Sequence, residues 1–128
     1  MNTEEFQNAI LSWSQIHGRK NLPWQTNINA YSVWISEIML QQTQVQTVIP
    51  YFKKFMARFP TISALATADI NDVLHYWTGL GYYARARNMH KTAQLVSNKF
   101  SGELPSMIED LINLPGIGRS TAGAIRSI

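Results

Sequence analysis

Apolar residues recur along this chain at three- and four-residue spacings almost from end to end, the mark of helices that each bury one stripe. Phe6, Ala9, Ile10, Trp13 and Ile16 make the first stripe, with Glu4 and Glu5 at its positive end and Gly18 closing it. After an irregular stretch from Arg19 to Ala30, the pattern predicts a helix over residues 31–42 that buries Val33, Trp34, Ile38 and Leu40. A third helix is expected over about residues 44–59, with Pro50 in its early turns or bending it. Shorter helices follow over 62–66 and 70–77, and the turn Thr78-Gly79-Leu80-Gly81 leads into a longer one from Tyr82 to about Lys99, closed by Gly102. No segment alternates with the period of a strand and no internal repeat is visible, so the expected class is all-α.

Met107, Ile108, Leu111 and Ile112 form a further apolar segment, and Ser106-x-x-Glu109 offers it a capping box. This segment runs into Leu114-Pro115-Gly116-Ile117-Gly118, with another helix starting at about Arg119. Pro115 stops the first helix, while Gly116 and Gly118 admit φ > 0 and put no Cβ between backbone and ligand. Successive N–H groups at such a turn, just ahead of a helix N-terminus, form an anion-binding concavity. With Arg119 beside it, a phosphate is the natural ligand. The pattern is that of the helix-hairpin-helix element of DNA-binding proteins; an ordinary pair of helices joined by a glycine turn shares its outline. The element by itself implies binding to a backbone, not chemistry.

Composition narrows the picture. At 128 residues, with 45% hydrophobic residues and four Trp, the chain is one domain's worth and fits a packed globule. The net charge of +3 suits a polyanionic partner without requiring one. Its placement says more: Arg19 and Lys20, Arg85 and Arg87, and Arg119 all fall at turns or helix starts, where phosphates are usually contacted. There is no cysteine, which excludes disulfides, thiolate metal sites and a cysteine nucleophile within these residues. His17, His75 and His90 lack ligand spacing and are expected in surface or structural roles. The acidic start carries no signal or transit pattern and no segment reaches membrane-spanning length, so a cytoplasmic setting without a membrane partner is expected.

Three groups are candidates for chemistry. Glu37 is the only acidic residue between Glu5 and Asp69, and it lies in an otherwise apolar helix. A carboxyl in an apolar wall has its pKa raised, because desolvation disfavours the anion, and it can then donate a proton near neutral pH. Helix geometry alone leaves open the other reading, a glutamate on a solvent face. Gln41-Gln42-Thr43 ends the same helix, where the amides either meet solvent or reach into a duplex to replace pairing lost on base extrusion. Tyr82 and Tyr83 follow a Gly-x-Gly turn, and an aromatic there either wedges between bases or packs in the core, the latter expected for at least one of the two.

Four ordered segments carry a family resemblance: Leu22-Pro23-Trp24, Trp34 through Thr43, Trp77 through Arg87, and Leu114 through Ala124. Together they resemble the adenine-specific mismatch DNA glycosylases of the endonuclease III superfamily, over essentially the whole chain. The resemblance implies a six-helix barrel over residues 23–128 with the helix-hairpin-helix motif at about 106–128. Residues 1–22 would form an N-terminal helix and arm that belong with an iron-sulfur domain. It makes Glu37 the acid that protonates a flipped adenine, and Gln41, Gln42 and Tyr82 the residues that fill the gap in the duplex. Arg19, Lys20, Leu22, Trp24 and Thr43 join the DNA-binding surface, with Leu114, Gly116, Gly118, Arg119 and Ser120 at the phosphate backbone. The implied substrate is adenine opposite 8-oxoguanine or guanine in double-stranded DNA, and the implied enzyme is a monomer.

The same resemblance implies an Asp shortly after the hairpin as second carboxylate, four cysteines holding a [4Fe–4S] cluster, and a C-terminal domain that reads the oxidised guanine. None falls within these residues, so the chain is expected to be a truncated N-terminal portion, its last helix cut off, and inactive alone. Two alternatives remain. One is an endonuclease III-type pyrimidine glycosylase/lyase, whose hairpin carries a Schiff-base Lys where this chain has Ser120. The other is a non-catalytic helix-hairpin-helix DNA-binding module, which has no need of Glu37 with Gln41 and Gln42.

Overall fold

The computed structural model describes residues 29–41 and 43–126. The expectations for the first helix and for Arg19, Lys20, Leu22, Trp24 and Gln42 lie outside the described residues. Among the described residues every regular element is helical: α1 (Ala30–Leu40), α2 (Val45–Arg58), α3 (Ile62–Thr67), α4 (Ile70–Trp77), α5 (Tyr83–Lys99), α6 (Ile108–Ile112) and α7 (Arg119–Arg126). None of these helices is long and apolar enough to cross a membrane.

α1 begins with a reciprocal cap. Asn29 Oδ1 accepts the Ser32 N–H at 2.9 Å, and Ser32 Oγ accepts the Asn29 N–H at 3.1 Å. The expected single stripe gives way to burial of every residue from Tyr31 to Leu40, Ser32, Ser36 and Glu37 included. The reason is position: α2 and α7 both pack on α1, and a helix apolar all round belongs inside. The Tyr31 hydroxyl donates to the Phe59 carbonyl at 2.6 Å, tying α1 to the end of α2, and burial pushes its pKa well above the ordinary phenol value.

The outer helices keep the expected amphipathic form. α2 buries Val48, Phe52 and Phe55 and leaves Lys53, Lys54 and Arg58 exposed, with Pro50 inside the helix. Phe55 packs against Phe59 and edge-on against Trp77, with ring centroids at 5.0 and 6.2 Å, which joins α2 to α4. Thr61 and Asp69 cap α3 and α4 through their side chains. α5 runs along α3 and α4, and its buried His90 places a ring nitrogen 2.8 Å from the Ala68 carbonyl, a structural role as expected.

The capping box expected at Ser106 and Glu109 does not form. The first bond of α6 runs from the Leu111 N–H to the Met107 carbonyl, so Met107 is the cap and no side chain serves it. The helix starts one residue later than the box needs, which puts Glu109 second in the helix instead of third.

Candidate active site and nucleic-acid interface

Glu37 occupies the middle of α1 and is 1% exposed. The solvent-face reading is therefore excluded, and the carboxyl belongs to the interior. One turn earlier, Trp34 is fully buried and its Nε1 finds no acceptor among the described residues. A buried donor of this kind is unusual in a native core and calls for a reason.

One turn after Glu37, α1 ends at Gln41, whose backbone is extended (φ −63°, ψ 117°) and whose N–H bonds the Ile38 carbonyl at 3.3 Å. The end of α1 is held from a distance. Arg85, near the start of α5, donates through one terminal nitrogen to the Ile38 carbonyl at 2.7 Å and to the Gln41 carbonyl. Its other terminal nitrogen donates to the Gly81 carbonyl at 3.4 Å. The guanidinium lies 5.4 Å from the Trp77 ring centre and 5.3 Å from that of Tyr82. Burial lowers its pKa from the ordinary guanidinium value, and neighbouring Tyr82 opposes the shift. This corrects the placement of Arg85 among phosphate-type positions: it is half-buried and donates to backbone carbonyls at the C-terminal end of α1, where the helix dipole favours a cation.

The Gln41 side chain turns to the hairpin. Its Nε2 donates to Thr121 Oγ1 in α7 at 3.4 Å, and Thr43 Oγ1 donates to the Gln41 carbonyl at 3.4 Å. Sequence reasoning missed Thr121, and nothing in a sequence signals a partner 80 positions away.

Tyr82 and Tyr83 both depart from the expectation that one of them packs in the core: they are 60% and 40% exposed. Tyr82 caps α5 in the left-handed region (φ 52°, ψ 55°), so the helix starts one residue later than expected. A left-handed aromatic residue costs on the order of 1–3 kcal/mol and persists only where its surroundings impose it.

The hairpin forms between α6 and α7. Leu114 and Ile117 are buried on its inner side, and the N–H of each bonds a carbonyl three residues back at 3.1 Å. Gly116 has φ +79°, and a Cβ there would stand 3.1 Å from that of Asn88 in α5. Thr92 Oγ1, also in α5, donates to the Pro115 carbonyl. Gly118 differs from its expected role. Its φ is not positive, and a Cβ built on it meets no protein atom within 4 Å. Its small size leaves open space outside the chain. The Ala122 N–H closes onto the Gly118 carbonyl at 2.9 Å, and amides in a first helical turn lack helical acceptors. Arg119 is exposed and Ser120 half-buried beside them.

Gln41, Thr43, Tyr82 and the start of α7 thus gather around one end of α1, with Glu37 one turn inside. A [4Fe–4S] cluster has no ligand set here: the chain has no cysteine, and among the described residues no three His, Asp or Glu side chains converge.

Comparison with known proteins identifies the family and the fold. Residues 35–125 match the model of the HhH-GPD superfamily base excision DNA repair protein. The adenine DNA glycosylase of Buchnera aphidicola subsp. Acyrthosiphon pisum is 54% identical over 123 residues, 96% of this chain and 35% of its own length. The human adenine DNA glycosylase is 43% identical over 132 residues, 96% of this chain and 24% of its own length. The chain thus spans about a third or less of the curated relatives it matches. Among solved structures, a thermostable thymine-DNA glycosylase superimposes with a TM-score of 0.77 at 23% identity, over 97% of this chain and 57% of that one. A non-covalent endonuclease III–DNA complex gives 0.73 at 20% identity, over 99% and 59%. All-helical architecture, glycine hairpin and family match agree, and the chain belongs to the HhH-GPD superfamily of base excision DNA repair proteins.

Proposed function

We propose that this chain supplies the catalytic acid and much of the DNA-binding surface of an adenine DNA glycosylase. The enzyme hydrolyses the N-glycosidic bond of adenine mispaired with 8-oxoguanine or guanine in double-stranded DNA. The observation that carries the reading is Glu37, a carboxyl 1% exposed, one helical turn inside a rim formed by Gln41, Tyr82 and the hairpin helix.

The chemistry follows from the substrate. Adenine within a duplex is out of reach, so it has to be unstacked and turned into a pocket. As an anion it is a poor leaving group; protonated on its ring it departs neutral. A carboxyl withdrawn from water holds its proton near neutral pH and is suited to that transfer. The sugar left behind has oxocarbenium character and calls for a nearby negative charge and a water, as in two-carboxylate glycoside hydrolysis. No Asp or Glu follows Asp110 in these 128 residues, so the second carboxylate is not among them. Residues 1–128 alone are expected to bind duplex DNA without releasing adenine efficiently.

On the DNA side, Tyr82 and Gln41 occupy the space of the extruded base, joined by Gln42. Gly116, Gly118, Arg119 and Ser120 hold the phosphate backbone, and Arg19, Lys20, Leu22, Trp24, Thr43 and Leu114 complete the surface. A [4Fe–4S] cluster would need ligands outside these residues, and no step above depends on it.

The test is an alkaline strand-cleavage assay of the complete protein on duplexes that differ in one pair. Adenine opposite 8-oxoguanine or guanine is expected to be released, and oxidised pyrimidines left intact. Borohydride during turnover should trap little covalent adduct, because Ser120 stands where the glycosylase/lyases carry Lys. Release of a damaged pyrimidine, with stoichiometric trapping, would replace this reading by the lyase mechanism.

A further inference from the structure

Arg85 makes its hydrogen bonds to three backbone carbonyls, of Ile38, Gln41 and Gly81, and its guanidinium carbon lies over the rings of Trp77 and Tyr82, 5.4 and 5.3 Å from their centres. These contacts belong to three places: the C-terminal end of α1, the turn before α5, and the exposed aromatic that caps α5. The Gly81 carbonyl is itself fixed, because buried Trp77 donates its Nε1–H to it at 3.0 Å. The first turn of α5 continues the chain of contacts, with the Arg85 N–H bonding the Tyr82 carbonyl at 3.0 Å.

We propose that Arg85 is a positioning residue that locks the Gln41 end of α1 and the left-handed Tyr82 at one fixed spacing, so that amide and aromatic enter the duplex as a unit. The proposal rests on the adenine glycosylase reading above. The physical basis is the shape of the group. A guanidinium presents several donors in one rigid plane whose faces remain free to stack, and Arg85 uses both properties at once. A lysine concentrates its three donors on one compact charge: set where that one nitrogen lies it could bond the two carbonyls at the end of α1, but it cannot also reach the Gly81 carbonyl, and it has no planar face to set against the rings. Arg85 spends these donors on backbone carbonyls of the protein instead of on DNA phosphates. A misplacement of about 1 Å in positioning groups can cost on the order of 10²-fold in rate without touching the reacting atoms.

Arg85→Lys in the complete protein, compared with Arg119→Ala, tests this with two independent readouts. The first is amide hydrogen exchange in the free protein, which needs no assumption about activity. Exchange is expected to rise about tenfold at Thr43, bonded to the Leu40 carbonyl at 3.4 Å, and at Arg85 itself, while the middle of α5 stays protected. The second combines single-turnover adenine release with the salt dependence of duplex binding. Arg85→Lys should lower the rate constant by about 10²-fold with little change in half-saturation and no change in salt slope, whereas Arg119→Ala lowers the slope by about one unit. Protection and rate equal to the parent's in Arg85→Lys would overturn the proposal. So would loss of about one unit of slope in Arg85→Ala, which would make Arg85 a phosphate ligand. A parent protein that releases no adenine defeats the functional reading alone, and the exchange data still decide what Arg85 does.

Discussion

The hairpin between α6 and α7 and the rim at the end of α1 lie on one side of the fold but are specified in opposite ways. The hairpin is local. Its turn is closed by bonds spanning three or four residues, Leu114 to Leu111, Ile117 to Leu114 and Ala122 to Gly118, and α5 only buttresses it through Thr92 and Asn88. The rim is assembled from afar: Arg85 bonds Gln41 across 44 positions and Thr121 meets it across 80. The difference matches the tasks proposed for the two regions. Every phosphate presents the same geometry, so a self-contained turn suffices to hold one. Extruding and protonating one base needs an acid, an amide and an aromatic at mutually fixed positions, and only tertiary structure can fix them.

The largest expected effect lies on the assembled side. Glu37→Gln keeps the shape of the side chain and removes the transferable proton. In the complete protein, adenine release should fall by at least about 10²–10⁴-fold, the usual worth of a general acid. Binding to the mismatched duplex should stay close to the parent's, because the hairpin is untouched. Near-normal turnover in single-turnover kinetics would show that the proton comes from another group, and the division of tasks between the two regions would lose its basis.

The two glycines of the hairpin sharpen the local side, because they are small for different reasons. At Gly116 the left-handed φ of +79° and the Asn88 contact at 3.1 Å both act within the fold. Gly116→Ala is expected to destabilise by roughly 1–2 kcal/mol from backbone conformation alone, seen as a Tm lower by several degrees. At Gly118 a methyl group meets open space, so Gly118→Ala should leave Tm almost unchanged and weaken binding to all duplexes alike. A lower Tm with unchanged affinity in Gly118→Ala would move that residue to the structural side of the comparison.

The same contrast decides what was legible in the sequence. α2, α3, α4 and α5 are found within one or two residues of their expected bounds, because each is amphipathic or carries a local cap such as Thr61 or Asp69. The hairpin was legible from its Pro-Gly turn, apart from Gly118 and from the capping box at Ser106 and Glu109, which does not form. α1 was legible as a helix but not as an interior one. A segment apolar on every side gives no period from which to orient it, so the burial of Glu37 was undetermined until α2 and α7 covered it. Tyr82 and Tyr83 misled because aromatic residues favour interiors in general, while a left-handed cap turns Tyr82 outward. Arg85 was read as a phosphate contact from its place at a helix start; its partners are backbone carbonyls, two of them more than 40 positions earlier in the chain.

The smallest expected effect tests whether the hairpin is as blind to sequence as its local construction implies. Arg119 is exposed at the first turn of α7, beside amides that have no helical acceptor. If it neutralises one phosphate, Arg119→Ala releases one counterion fewer on binding, and the slope of log affinity against log salt becomes shallower by about 0.9. The affinity lost at low salt should be equal for matched duplexes and for adenine opposite 8-oxoguanine, since phosphate carries no sequence information. Measuring both duplexes across a salt series separates this from base readout. A loss confined to the mismatched duplex, with the slope intact, would place Arg119 at the extruded base and draw the hairpin into the assembled region it is contrasted with here.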